Sequence, residues 1–321
     1  MTNLRTIDEQ RELVDSFTRP ALAMFPLSRL REGSSPDIGA WTQIAELGWL
    51  GISLADDCGG IGLGPIEEAL AAQTLGRQLL TPAFLATVIA ARLAALSGQP
   101  ALARDLVSGV RRAALGLSHA RDGAKGVDVQ PSDLLLIIGP DHIALSPAAE
   151  ASEQDAVHWS LPLHDAVLGE PLAVSDDPAL FAFAQLMAAA TLSGIATQSC
   201  ELGVEYAKVR EQFGQPIGAF QAVKHHCANM AINAYGAREI VIQAAMALED
   251  GQNDAATLAA AALNFSLRAA RANAGLSIQV HGGIGFSAEC DAHQFLKRAH
   301  LIEAAFGGIG AIRQRLCERQ A

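Results

Sequence analysis

From Pro178 to about Arg319, apolar residues recur at helical spacing with only brief interruptions, and this run limits the chain more than any other feature. Asp176-Asp177-Pro178 opens it as a cap followed by a helix-compatible proline. The segments read as Pro178 to Gln212, Phe220 to Asp250, Asp254 to Val280, and about Ala288 to Arg319. Four long amphipathic helices bury their apolar stripes most readily against one another, so the spacing predicts a bundle.

Upstream, helical spacing runs through Ile7 to Phe25 and Ile38 to Leu47. A glycine-rich turn follows, and from Pro65 to about Leu96 the pattern is helical again, broken at Leu80-Thr81-Pro82. Between about Arg112 and Asp177 the pattern changes. Short β-like runs, Ala113–Ser118, Leu134–Ile138, His142–Ser146 and Val157–Leu161, are separated by Gly, Pro, Asp and Ser. The expected organisation is mostly α: an N-terminal helical domain over 1–111, a small β domain of four or five strands over 112–177, and the helical bundle over 178–321.

Half of the residues are hydrophobic, with frequent alanine runs, which suits packed helices. A formal net charge of −11 argues against a nucleic-acid partner, because phosphate binding needs clustered Lys and Arg. Five cysteines are dispersed without a CxxC pair or a histidine at ligand spacing, which fits reduced thiols and no metal. The polar, charged N-terminus reads as neither leader nor anchor, and no uncharged apolar run is expected to span a bilayer. The expected location is the cytoplasm.

Two segments of the bundle carry chemistry. One is Arg210-Glu211-Gln212-Phe213-Gly214-Gln215-Pro216-Ile217-Gly218-Ala219-Phe220-Gln221, and the other is Gln279-Val280-His281-Gly282-Gly283-Ile284-Gly285-Phe286. Arg210 offers a planar fork of donors that suits a pyrophosphate, and Gln221 and Gln279 can both donate and accept. Phe213 offers an apolar face, and Gly282 and Gly283 let backbone N–H groups approach a ligand closely. Each also has an ordinary structural role. Arg210 suits a surface helix charge, Phe213 a core anchor, and Gly282-Gly283 a helix cap and turn.

Taken in order, the two segments resemble the signature pair of the acyl-CoA dehydrogenase family. The N-terminal stretch GWLGISLADDCGGIGLGPIEEALAAQTLGRQLL is similar to that family's first helical domain. The resemblance implies FAD as cofactor, with Arg210, Phe213, Gln221, Gln279, Gly282 and Gly283 reaching across a dimer interface to a flavin held by the neighbouring subunit.

The same resemblance exposes two losses. The family's base is a glutamate, most often near the C-terminus, and Phe306 occupies that position here. A minority of members carry it on the first helix of the bundle, where this chain has Ala184, followed by Gln185. Neither Phe306 nor Ala184 can take a proton, and no catalytic residue is assigned. Glu303, one turn before Phe306, is a poor substitute. The family's longer β domain holds the flavin ring with a Thr-Glu-Pro-Gly-x-Gly-Ser-Asp-like segment. Its counterpart here is reduced to about Leu117–Gly123, with Ser118 as a remaining polar group. Trp159 suits either the core of the small domain or a flavin-stacking ring.

The reading that unites these features is a shortened, non-catalytic subunit of an α2β2 acyl-CoA dehydrogenase. Its partner would be a full-length homologue carrying the glutamate, acting on an acyl-CoA such as a steroid side-chain thioester. Electrons would pass to an electron-transfer flavoprotein. A homomeric enzyme with its base elsewhere, and a flavin-free scaffold, are the other classes open to this sequence.

Overall fold

The computed structural model describes residues 7–31, 38–120, 123–139, 141–154 and 162–318. In chain order the helices and strands begin with α1 (Ile7–Met24), α2 (Ile38–Glu46), α3 (Pro65–Arg77), α4 (Pro82–Leu96) and α5 (Pro100–Val107). Then come β1 (Ala113–Ala120), β2 (Gly123–Val127), β3 (Leu134–Ile138), β4 (Ile143–Gln154), β5 (Leu163–Leu168) and β6 (Ala173–Ser175). After α6 (Pro178–Val209) a small hairpin, β7 (Glu211–Gln212) and β8 (Gln215–Pro216), leads into α7 (Gln221–Glu249). The chain closes with α8 (Ala255–His281), α9 (Ala292–Ala305) and α10 (Gly308–Glu318). The mostly helical fold with a small β region between two helical parts is the expected one.

The chain folds into two compact units whose segments alternate along the sequence. The first comprises 1–32, 69–79 and 185–303, and the second 33–68, 80–184 and 304–321.

In the first unit α6 to α9 form the predicted bundle. Asn273 on α8 is fully buried and its side chain joins three helices. Its amide donates to the carbonyls of Ala196 on α6 (3.0 Å) and Met230 on α7 (2.8 Å), and its oxygen accepts from Asn233 (3.0 Å). A buried amide so fully partnered stabilises one register of the three helices over its alternatives. Gly76 on α3 and Gly194 on α6 bring two backbones into contact. A Cβ at Gly76 would lie 2.3 Å from the Thr191 carbonyl oxygen.

In the second unit the strands close on themselves. The sheet order is β3-β1-β2-β5-β4-β6, and β3 also pairs with β4, giving a five-stranded barrel with β6 added to β4. Only β1 and β3 run parallel among the described pairs. Ala114, Val129, Leu135 and Ala166 form a buried cluster in it. At its margin Arg112 pairs with Asp128 and Asp133, each at 2.5 Å, and lies over the Trp41 ring.

Several expectations need correction in detail. Six strands, β1 to β6, occur in the middle region rather than four or five, because β2 and β5 carry Gly, Lys, His and Asp and β6 is short. The run Val157–Leu161, Trp159 and the Ser118 side chain lie outside the described residues. The last helical stretch is two helices. Gly307 and Gly308, at φ 82° and 83°, leave the helical region and break it beside Phe306. The break at Leu80-Thr81-Pro82 occurs as expected. Thr81 accepts the Ala83 N–H at 3.2 Å as N-cap, and Pro82 opens α4. Finally, α6 is long and apolar enough to cross a bilayer, against the expectation that no segment is. The chain buries 89% of its most apolar window instead, as a core helix does.

Candidate functional site: the Arg210 hairpin and the Gly282-Gly283 turn

The Arg210 segment begins where α6 stops. The Arg210 N–H donates to the Tyr206 carbonyl (2.9 Å), and the Arg210 carbonyl accepts from Ile217 (2.7 Å), which closes the β7–β8 hairpin. Its two corner residues, Phe213 (φ 52°) and Gly214 (φ 78°), both take the left-handed conformation that a tight hairpin needs. Glycine adopts it freely, whereas phenylalanine gives up roughly 1 kcal/mol to do so. The result is a ring held outward. Phe213 is 91% exposed and meets Phe220 edge-on at 6.0 Å. It is therefore not a core anchor.

The second segment begins where α8 stops. Gly282 takes φ 68° and turns the chain out of the helix immediately after His281. The Tyr206 and His281 rings stack, with centroids 4.3 Å apart and planes 25° from parallel. His281 Nδ1 lies 2.7 Å from the Ser277 carbonyl, and since a carbonyl only accepts, Nδ1 carries the hydrogen. A buried cluster of Cys200, Ala207, Met230 and Val280, with Ile217 and Leu276 against it, joins these ends from beneath. Two segments separated by the whole of α7 and α8 thus meet at one end of the bundle. Nothing in the sequence alone singles out Tyr206 or Phe220, whose roles depend on partners distant in sequence or on rotamers.

Arg210, Gln221, Gln279, Gly282 and Gly283 are all exposed. Among the described residues no side-chain hydrogen bond occupies Arg210, Gln221 or Gln279. A Cβ at Gly282 or Gly283 would meet nothing within 4 Å. A guanidinium fork, two amides, one exposed ring and an open glycine turn fit the pyrophosphate and nucleoside part of FAD in donor chemistry.

The expected glutamate positions, in the second unit, hold no acid. Phe306 is 1% exposed and Ala184 is fully buried. Glu303 is held by Arg271 (3.1 Å) and His300 (3.2 Å). Glu201 pairs with Arg77 at 2.5 Å and Glu205 with Lys208 at 2.6 Å, while Glu211 lies exposed on the hairpin.

One further carboxyl is unusual. Glu68, 2% exposed, accepts from the Ser53 hydroxyl, which in turn accepts from Arg92 at 2.6 Å. Arg92 also lies over the Phe183 ring, 4.1 Å from its centroid. Burial pushes the Glu68 carboxyl up to about 7, against the opposing pull of Ser53 and Arg92.

The fold and these segments define a protein of the acyl-CoA dehydrogenase class. Residues 6–110 match the acyl-CoA dehydrogenase N-terminal domain and residues 179–320 the acyl-CoA dehydrogenase C-terminal domain. The chain belongs to the acyl-CoA dehydrogenase family.

It is similar to acyl-CoA dehydrogenase FadE34 of Mycobacterium tuberculosis, with 37% identity over 290 residues. That match covers 83% of this chain but only 40% of FadE34. Acyl-CoA dehydrogenase IpdE2 of the same organism is 29% identical over 287 residues, covering 82% of this chain and 81% of its own. Among solved structures, a variant of the Tcur3481-Tcur3483 steroid acyl-CoA dehydrogenase superposes with a TM-score of 0.82 at 25% identity over 97% of both chains. The ChsE4-ChsE5 complex from Mycobacterium tuberculosis gives 0.79 at 22% identity over 99% of both, a likeness of fold.

Proposed function

We propose that this chain is the non-catalytic subunit of a heteromeric acyl-CoA dehydrogenase and completes the FAD site of a full-length, glutamate-bearing partner. One observation carries the proposal. Every nucleotide-suited group of the signature pair is exposed without a side-chain hydrogen bond among the described residues, while both positions for the base are buried and apolar. A subunit that lends groups to a neighbour keeps the first feature and has no need of the second.

In this reading Arg210 holds the FAD pyrophosphate through its paired donors, and Gln221 and Gln279 bond polar nucleotide atoms. Phe213 covers the apolar face of the nucleoside, and the open Gly282-Gly283 turn lets the nucleotide approach the backbone where a side chain would obstruct, while the Gly282 N–H itself donates to the Gln279 and Ile278 carbonyls. Bound FAD supplies the hydride acceptor for α,β-desaturation of the acyl-CoA. The partner's carboxylate takes the α-proton, a step for which Phe306 and Ala184 offer no basic atom. Likeness to a steroid acyl-CoA dehydrogenase supports a steroid side-chain CoA thioester as substrate. An electron-transfer flavoprotein is the proposed acceptor, and an α2β2 assembly in the cytoplasm the proposed setting.

Co-expression with a full-length acyl-CoA dehydrogenase, followed by size-exclusion with flavin absorbance, tests the reading. A stable complex with one FAD per heterodimer, beside a colourless lone chain, is expected. A yellow lone homo-oligomer with one FAD per chain would overturn it.

A further inference from the structure

We infer that Tyr206 and His281 are positioning residues, whose stacked rings hold the Arg210 hairpin and the Gly282-Gly283 turn at the separation one flavin nucleotide requires. This rests on the proposed role of the chain in a shared FAD site.

Each ring is tied to one of the two nucleotide-suited segments. The Tyr206 carbonyl accepts the Arg210 N–H at 2.9 Å, so a displacement of Tyr206 moves the last turn of α6 and the root of the hairpin with it. His281 immediately precedes Gly282, the residue at which the chain leaves α8. Between them lies the ring stack at 4.3 Å, a direct link from one segment to the other.

The histidine ring is itself fixed from the other side. Nδ1 donates to the Ser277 carbonyl at 2.7 Å, one turn back on the same helix, which restrains its rotation. The surrounding groups explain why restraint is needed here. Arg210, Gln221 and Gln279 are exposed, and exposed side chains without partners gain nothing from internal packing that would set their spacing. Binding a single ligand through two separate segments requires that spacing to exist beforehand, or the ligand must bear the ordering cost. A planar stack restrains both distance and tilt, while an aliphatic contact restrains distance alone.

The test uses the co-expressed complex and FAD itself, titrated into apoprotein and followed by flavin fluorescence. Tyr206→Leu is expected to weaken FAD binding about tenfold, on the scale of one lost aromatic pair. Tyr206→Phe keeps the ring and is expected to restore wild-type affinity within about twofold on the same scale. Should Tyr206→Leu fail to assemble, His281→Phe and His281→Leu ask the same question from the other ring. The first retains stacking and affinity, and the second loses affinity.

Unchanged FAD affinity in an assembled leucine variant, or equal loss in the phenylalanine and leucine variants at one position, would overturn the positioning role. Arg210→Ala separates this from the larger reading. If Arg210→Ala loses FAD while the leucine variants do not, only the positioning role fails. If Arg210→Ala and Tyr206→Leu both leave FAD unchanged, the shared site fails and the positioning role with it.

Discussion

Gly194 on α6 faces the Gln73 carbonyl on α3 so closely that a Cβ built on the glycine would lie 2.0 Å from that oxygen. The neighbouring atoms are backbone and cannot swing aside. Nearby, Gln73 donates to the Ser193 hydroxyl at 2.8 Å, so the same crossing also carries a side-chain bond. Gly194→Ala should destabilise the fold by roughly 1–3 kcal/mol, the usual range for overpacking. Urea unfolding measures this. A midpoint equal to wild type would show that the two helices can separate without loss.

Glu68 predicts an uncommon pH dependence. Its carboxyl sits at about 7 in the folded chain against an ordinary 4.5, because burial disfavours the charge. The folded state therefore retains a proton that the unfolded chain releases between those values. Stability attributable to Glu68 falls as pH rises through that window, and is level above it. Glu68→Gln removes the titration while leaving an oxygen for Ser53. The stability of Glu68→Gln relative to wild type should rise by roughly 3 kcal/mol between pH 4 and pH 8. Urea midpoints at the two pH values decide it, and parallel behaviour of the two proteins would rule it out.

Arg210→Ala should release FAD from the proposed heteromeric complex while the subunit keeps its melting temperature. The side chain makes no hydrogen bond among the described residues, so its removal leaves no buried partner unsatisfied. Flavin absorbance after gel filtration, paired with a thermal melt, reads both quantities. FAD content equal to wild type would remove Arg210 from the site.

Phe306→Glu places an acid where the resemblance expects the family's base, yet should create no turnover in this subunit alone. At 1% exposure the introduced carboxylate would enter an apolar environment, with a stability loss of about 3 kcal/mol or more. Acyl-CoA oxidation assays and a melt on the purified variant test both parts. Measurable turnover would mean that a working flavin and substrate site surrounds residue 306.

Legibility in the sequence followed the range of the interaction. Helix periods and the Thr81-Pro82 start of α4 are set by residues a few positions apart. Such signals appear in the sequence itself. Strands β2 and β5 were not legible. Gly-Ala-Lys-Gly-Val and Leu-His-Asp-Ala-Val-Leu have weak strand preferences, and they pair because neighbouring strands offer them hydrogen bonds. The break after Phe306 was hidden for another reason, since glycines at a helix end and within a helix look alike until their φ angles are known.

The candidate site divides along the same line. By itself the sequence determined which groups are available, namely the Arg210, Phe213, Gln221, Gln279 and Gly282-Gly283 set, and that Phe306 and Ala184 supply no base. Those are matters of side-chain chemistry, which no fold can alter. Tertiary structure decided that Phe213 stands in solvent, that Tyr206 meets His281, and that Glu68 is buried beside Ser53 and Arg92. Exposure, stacking and a displaced proton affinity depend on which distant segments pack together, and packing is a property of the whole chain rather than of any local stretch.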